Sequence, residues 1–254
     1  MGSEVLYERR GATALLTINR PERRNALSID TCHQLRAAWT RFEADADALV
    51  AIVTGAGDRA FCAGYDIAEK QQGNTVGIAD FAPRLETTSY VSKPVIAAVN
   101  GAAVAAGMAL VEACDLIVAA EDAWFGLPEV TLGIGVAPFV QSLWTLPHHV
   151  LMEVLLTGEP LTAHRAHQIG FVNRLVPRER LLNESLTLAE TIARNAPLVV
   201  RASKAMLYQG IEAMGMPAAH RVARELFAPV GQSDDAREGF RARRERRPPR
   251  WTGR

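Results

Sequence analysis

Cysteine is scarce in this chain of 254 residues: Cys32, Cys62 and Cys114 are far apart and odd in number. No CxxC pair and no cysteine–histidine metal spacing occurs, so neither disulfides nor a structural metal are expected to organise the fold. A reducing, cytoplasmic setting is the simplest reading. The first residues are charged early, at Glu4, and lack the apolar core of a secretory signal. Long apolar runs are also missing, with one exception. Pro94 to Val111 is uncharged and borders on the length of a spanning helix. It is mostly Ala and Val, and Asn100-Gly101 interrupts it with a turn signal. A buried strand, a turn and a buried helix are expected there, and no membrane span. Aromatics make up only 6%. Outside Trp251 they offer no stacking platform beside basic residues, which argues against nucleic acid as a partner. Net charge is absent too, with 28 Lys+Arg against 28 Asp+Glu.

That zero hides a division. Residues 241–254 hold seven arginines and one glutamate, a net +6, so the other 240 residues carry −6. The chain is an acidic body with a basic tail. What remains is ordinary for a globular protein: 48% hydrophobic and 22% charged, enough for a large core without staples.

Apolar segments at Ala14–Asn19, Leu49–Thr54, Val95–Val99 and Leu116–Ala119 read as strands, the later ones buried on both faces. Between them, Ser28 can cap a helix that places Leu35, Trp39 and Phe42 on one face. Gly107–Ala113 reads as a short buried helix. Strands alternating with helices argue an α/β fold. After about residue 138 the pattern becomes helical. Leu181, Leu182, Ser185, Leu186, Ala189, Ile192 and Ala193 form one helical face. Asn195-Ala196-Pro197 ends one helix and starts another, expected to run from Leu198 to about Phe227. Ser233-Asp234-Asp235 opens a last one with acids at its positive end. A boundary falls near residue 196, dividing the chain into 1–196 and 197–254.

Three segments carry candidate chemistry. Ala60–Ile67 (AFCAGYDI) and Asn100–Met108 (NGAAVAAGM) both follow strands and are rich in small residues, which let backbone approach a ligand. A helix N-terminus presents unpaired N–H groups. One donor from each loop would form an oxyanion hole; tight turns in a core are the alternative. The third segment holds Glu129, after Pro128 in an apolar stretch. Burial raises a carboxylate's pKa and suits it to proton transfer near neutrality. A helix-start glutamate is the alternative. Tyr65, Trp144, His148 and His149 are further polar or aromatic residues near these segments, with the histidine pair expected in a solvent-exposed turn. Cys62 is expected to be a core residue.

Together with Asn19–Leu27 (NRPERRNAL), Thr157-Gly158, Gly170–Asn173 (GFVN) and Glu245-Arg246-Arg247, these segments resemble the crotonase, or enoyl-CoA hydratase/isomerase, family over nearly the whole chain. The resemblance implies a spiral of ββα units over 1–196 and a helical trimerisation region over 197–254. It implies a homotrimer or a dimer of trimers acting on acyl-coenzyme A thioesters. Coenzyme A would be part of the substrate, with no permanently bound cofactor. By position, the thioester oxyanion would be held by the backbone N–H groups of Tyr65 and Ala106. Ala63, Asp66, Ile67 and Gly107 would line the substrate path, and Glu129 would be the acid/base. Family hydratases use a second glutamate at the position of Ala109. Val136–Val140 replaces a glycine-rich turn near the hydratase water. The resemblance with one glutamate missing implies double-bond isomerisation through a thioester enolate. Hydration using Glu129 with Glu112 or an ordered water, thioester hydrolysis or decarboxylation, and a non-catalytic acyl-CoA binder are alternatives. Arg246 falls where some members carry a basic contact to coenzyme A, so part of the tail's charge would be a phosphate clamp; a solvated helix end is the alternative.

Overall fold

The computed structural model of the protein describes residues 2–70, 77, 81–85, 89–135, 141–213, 228, 232–247 and 249–250. The Val136–Val140 segment, Trp251 and the end of the long helix toward Phe227 lie outside these residues.

Strand β1 (Val5–Arg10) runs antiparallel to β2 (Thr13–Ile18). Helix α1 (Ile29–Ala44) follows, and Ser28 caps it as its composition suggests. The Ser28 hydroxyl accepts the Thr31 N–H at 2.9 Å, and the Thr31 hydroxyl accepts the Ser28 N–H. Cys32, Leu35, Trp39 and Phe42 are buried along one face.

The chain then alternates between two sheets. β3 (Val50–Gly55) enters the first sheet, β4 (Ala60–Cys62) the second, and the short helix α2 (Ile67–Lys70) follows. β5 (Arg84–Leu85) and β6 (Ser89–Tyr90) form a small antiparallel pair. The next turn gives β7 (Val95–Val99) to the first sheet and β8 (Ala102–Val104) to the second, then α3 (Ala106–Glu112). The third gives β9 (Leu116–Ala120) and β10 (Trp124–Gly126). The first sheet therefore has the order β1-β2-β3-β7-β9-β12, parallel from β2 onward, closed by β12 (Arg174–Val176). The second has the order β11-β10-β8-β4, where β11 (Leu161–Thr162) is its antiparallel edge. Two strands and a helix per turn is a spiral of ββα units, the expected crotonase-like α/β architecture. Both sheets feed one hydrophobic core, including Ile52, Phe61, Ile96 and Phe125. One expectation needs correction: between β7 and α3 the chain does not turn directly into the helix, because Ala102–Val104 pairs with β4 and β10 as a strand.

Helices α4 (Ser142–Thr145), α5 (His148–Thr157) and α6 (Ala163–Gln168) follow the spiral. Helix α7 (Leu181–Ala193) buries Leu181, Ser185 and Ala189 over the first sheet. Pro197 opens α8 (Pro197–Ala213). That helix is docked by a polar cluster. Lys204 Nζ donates to the Asp115 carboxylate and to the Lys93 carbonyl, both at 2.8 Å, and the Tyr208 hydroxyl donates to Asp115 at 2.8 Å. The last helix, Asp234–Glu245, has Ser233 as its cap, as its sequence suggests. Among the described residues no helix is long and apolar enough to cross a membrane.

Candidate active site

Three local structures meet at one cavity of about 390 Å³. The first is the backbone at Tyr65. Leu27 N–H donates to the Gly64 carbonyl and Asp66 N–H to the Leu27 carbonyl, both at 2.8 Å. Tyr65 sits between these two bonds in a parallel bridge to Leu27, so its own N–H points to the other side of the strand. The Asn19–Leu27 segment is the brace. Arg24 and Asn25 are both left-handed, at φ 53° and 55°. Buried Asn25 accepts the Arg20 N–H and donates to the Ala56 and Ala60 carbonyls. The Arg20 guanidinium donates to the Ala26 carbonyl and pairs with Asp66 and Glu4 at 3.2 and 3.3 Å.

The second structure is the start of α3. Ala105 adopts φ 52°, ψ −122°, a conformation rare for a residue with a Cβ. Its N–H is held by the Gly126 carbonyl at 2.9 Å, and its carbonyl takes the Ala109 N–H at 3.1 Å. The kink sets Ala106 as the first helical residue, whose N–H the helix does not use. Gly107 packs against β4 so closely that a Cβ there would lie 2.1 Å from the Cys62 carbonyl.

The third is a 3-10 turn, Pro128–Leu132, with the proline at its first position. Glu129 is its second residue, 5% exposed, and reaches the cavity.

The cavity thus brings together Ala63, Tyr65, Ile67, Ala106 and Glu129. It does not include four other candidates. Asp66 faces Arg20 instead. Gly107 serves the α3–β4 contact. Glu112 is buried behind α3, accepting the Ser142 hydroxyl at 2.6 Å. Arg246 caps the last helix in a left-handed conformation and is exposed. His148 and His149 begin α5 rather than occupying a turn, and are exposed. Burial pushes the Cys62 thiol up to about 12, so it is no nucleophile near neutrality. Ala109 is buried, and Glu129 is the single acid among the described lining residues. No cluster of ligating side chains fit for a metal is found among the described residues.

The cavity also holds residues whose roles were not assigned from sequence: Arg24, Trp124, Phe240 and Arg243. Neither arginine forms an ion pair among the described residues. Arg24 lies in the motif already singled out. Phe240 and Arg243, three apart on one helix, share a face, a spacing that could have flagged them.

Chemically, backbone N–H groups and a carboxylate in one cavity can, where the donors meet at one point, hold a carbonyl oxygen while the carboxylate moves a proton beside it. Removing one such donor typically costs about 10²–10³ in rate.

Residues 8–254 match the family model described as enoyl-CoA hydratase/isomerase. The chain is 36% identical over 244 residues to a mevalonyl-coenzyme A hydratase of Aspergillus fumigatus, covering 93% of this chain and 90% of that protein. It is 37% identical over 262 residues to a 2,3-dehydroadipyl-CoA hydratase of Escherichia coli, covering 99% and 100%. Among solved structures, a carnitinyl-CoA hydratase from Mycobacterium avium superposes with a TM-score of 0.90 at 38% identity over the full length of both chains. The chain belongs to the crotonase family of enoyl-CoA hydratases and isomerases.

Proposed function

We propose that the protein isomerises an enoyl-coenzyme A thioester through an enolate, with Glu129 as its one acid/base. The observation that carries this reading is that Glu129 is the single acid among the described residues of a cavity that also contains Tyr65 and Ala106. With a 3-enoyl thioester, the Glu129 carboxylate takes a proton from C2. The electrons pass into a dienolate whose oxygen accepts hydrogen bonds from the Tyr65 and Ala106 N–H groups. Protonated Glu129 returns the proton to C4, leaving the double bond between C2 and C3. Nothing else is consumed, and no second carboxylate is required. Ala63 and Ile67 line the substrate path. Coenzyme A enters as part of the substrate, and no permanently bound cofactor takes part.

Hydration is the second reading, favoured by the relatives, which are named as hydratases. It needs water placed by something other than a glutamate at Ala109, an ordered water or Glu112. The Ser142 bond to Glu112 and its place outside the cavity lining weigh against Glu112.

A panel of 2-enoyl, 3-enoyl and β-keto thioesters followed by mass spectrometry separates the two readings. Conversion of 3-enoyl to 2-enoyl thioester without a gain of 18 mass units (~one water) supports isomerisation; rapid hydration of crotonyl-CoA sinks it. Glu129→Gln is expected to lower turnover by at least about 10³ while acyl-CoA affinity stays within a few-fold. Activity equal to wild type removes Glu129 from the mechanism. Loss of α-proton exchange in heavy water in the same variant separates an enzyme from a passive acyl-CoA binder.

Residues 197–254 are proposed as an assembly region for a homotrimer or a dimer of trimers. Leu198, Val199, Met206 and Leu207 on α8 are all more than half exposed, an apolar face suited to a second copy. The three buried cysteines fit a reducing cytoplasm.

A further inference from the structure

We propose that Glu238 is a positioning residue: it gathers the arginines of the C-terminal helix and tail so that Phe240 and Arg243 stand as a wall of the active-site cavity. This rests on the reading of that cavity as an acyl-CoA site.

Glu238 is a glutamate in an arginine-rich helix, yet it is only 5% exposed. Its Oε1 accepts Arg247 Nη1 at 2.6 Å and the Arg250 backbone N–H at 2.9 Å. Its Oε2 accepts Arg241 Nε at 2.9 Å and Arg247 Nη2 at 3.1 Å. Arg247 is held on its other side by Glu245 at 2.6 Å. One carboxylate thus draws in the helix and folds the chain after it back onto the helix. These charged bonds, that of Arg247 foremost, hold the Glu238 carboxyl well below the usual carboxylate range.

The next residue makes the mechanical connection. A Cβ on Gly239 would lie 1.6 Å from the Leu132 carbonyl, so only glycine lets this helix rest on the turn that carries Glu129. The residue after that, Phe240, and Arg243 one turn on, line the cavity. Clasp, contact point and wall are consecutive along a single helix, and a shift of one moves the others. The clasp also sorts the tail's charge. Arg241 and Arg247 are neutralised internally, whereas Arg243 faces the cavity without an ion pair among the described residues. Coenzyme A thioesters carry several phosphate charges, and Arg243 is the cavity-lining cation of this helix that the clasp leaves available to such a ligand.

The test uses the full-length protein and acetyl-CoA as an unreactive probe, titrated calorimetrically, with circular dichroism and melting temperature as controls on folding. Arg243→Ala is expected to weaken acetyl-CoA binding roughly tenfold, a typical loss for one charged contact. Glu238→Gln should weaken it several-fold. The double variant should bind no more weakly than Arg243→Ala alone, because Glu238 acts through Arg243. General loosening of the fold would instead add its effect in both backgrounds. Arg247→Lys, which keeps the charge but loses the two-pronged bond to Glu238, should reproduce the Glu238→Gln loss; it serves if the latter fails to fold. Glu238→Gln binding like wild type, or the two losses multiplying in the double variant, overturns the proposal. Failure of the wild type to bind acetyl-CoA strikes the acyl-CoA reading itself.

Discussion

Ala105 shows how a single backbone conformation can serve a site. At φ 52°, ψ −122° it pays about 1–3 kcal/mol of strain relative to an ordinary region. The Gly126 and Ala109 bonds enforce it, and Ala106, the first residue of α3, lines the cavity. Glycine accepts this conformation without a Cβ clash, but costs about 0.4–1 kcal/mol of extra chain entropy in the unfolded state. The strain relief is the larger of the two. Ala105→Gly is therefore expected to raise stability by about 1 kcal/mol, read as a higher denaturation midpoint, with turnover preserved. A lower midpoint means that the Ala105 Cβ has contacts worth more than the strain. Asn25 is the complementary case: left-handed and fully buried, it is suited by a short amide that bonds locally. Its amide braces the backbone on which Tyr65 is carried, although Asn25 is not among the residues lining the cavity.

At the scale of elements, the same sequence logic that places helices also aims them. The Ser28–Thr31 capping box, the Pro128 start of the glutamate turn and the Ser233 cap are local signals, and each begins its element where the sequence suggests. Docking is a different matter. Helix α8 presents its apolar residues outward and attaches to the spiral through Lys204, Tyr208 and Asp115. Asp115 also accepts the Val95 N–H at 2.8 Å, so it ties the start of β7 to the helix. Removing one partner of such a largely buried pair leaves the other uncompensated, a loss of about 3–5 kcal/mol. Asp115→Ala is expected to fall in that range by urea denaturation, with faster amide exchange across α8 than across the parallel strands. A loss below about 1 kcal/mol would mean that the cluster is only a surface bridge.

At the scale of the molecule, the charge division takes on a shape. Among the described residues of the basic tail, Arg241 and Arg247 are folded onto Glu238, Arg243 borders the cavity, and Arg246 is an exposed helix cap. The apolar residues of α8, among others, are left open in a single chain. A trimer or hexamer by sedimentation, reduced to monomer by paired Leu198→Lys and Met206→Lys changes, is the expected result. A wild-type monomer at micromolar concentration would refute the assembly reading and leave the catalytic one intact.

The periodic elements and the chemistry-bearing segments are legible along the chain. Four apolar runs read as strands, the later ones buried on both faces, the spacing of Leu35, Trp39 and Phe42 made a helix, and the order of the motifs carried the family. Such information is local, since strand and helix periods and cap residues act within a few positions. The short strands of the second sheet, Ala60–Cys62, Ala102–Val104 and Trp124–Gly126, escaped that reading because three residues are too few to show a period. Tertiary packing, by contrast, set which candidates share a cavity. Glu129 and Arg243 are 114 positions apart and meet there, while Asp66, adjacent to Tyr65, turns to Arg20. It decided, too, that Glu238 takes in the tail's arginines. Both outcomes depend on close approaches at Gly107 and Gly239, where one missing Cβ lets two backbones touch. Nothing in the neighbouring residues announces such an approach, because the surface it meets comes from elsewhere in the chain.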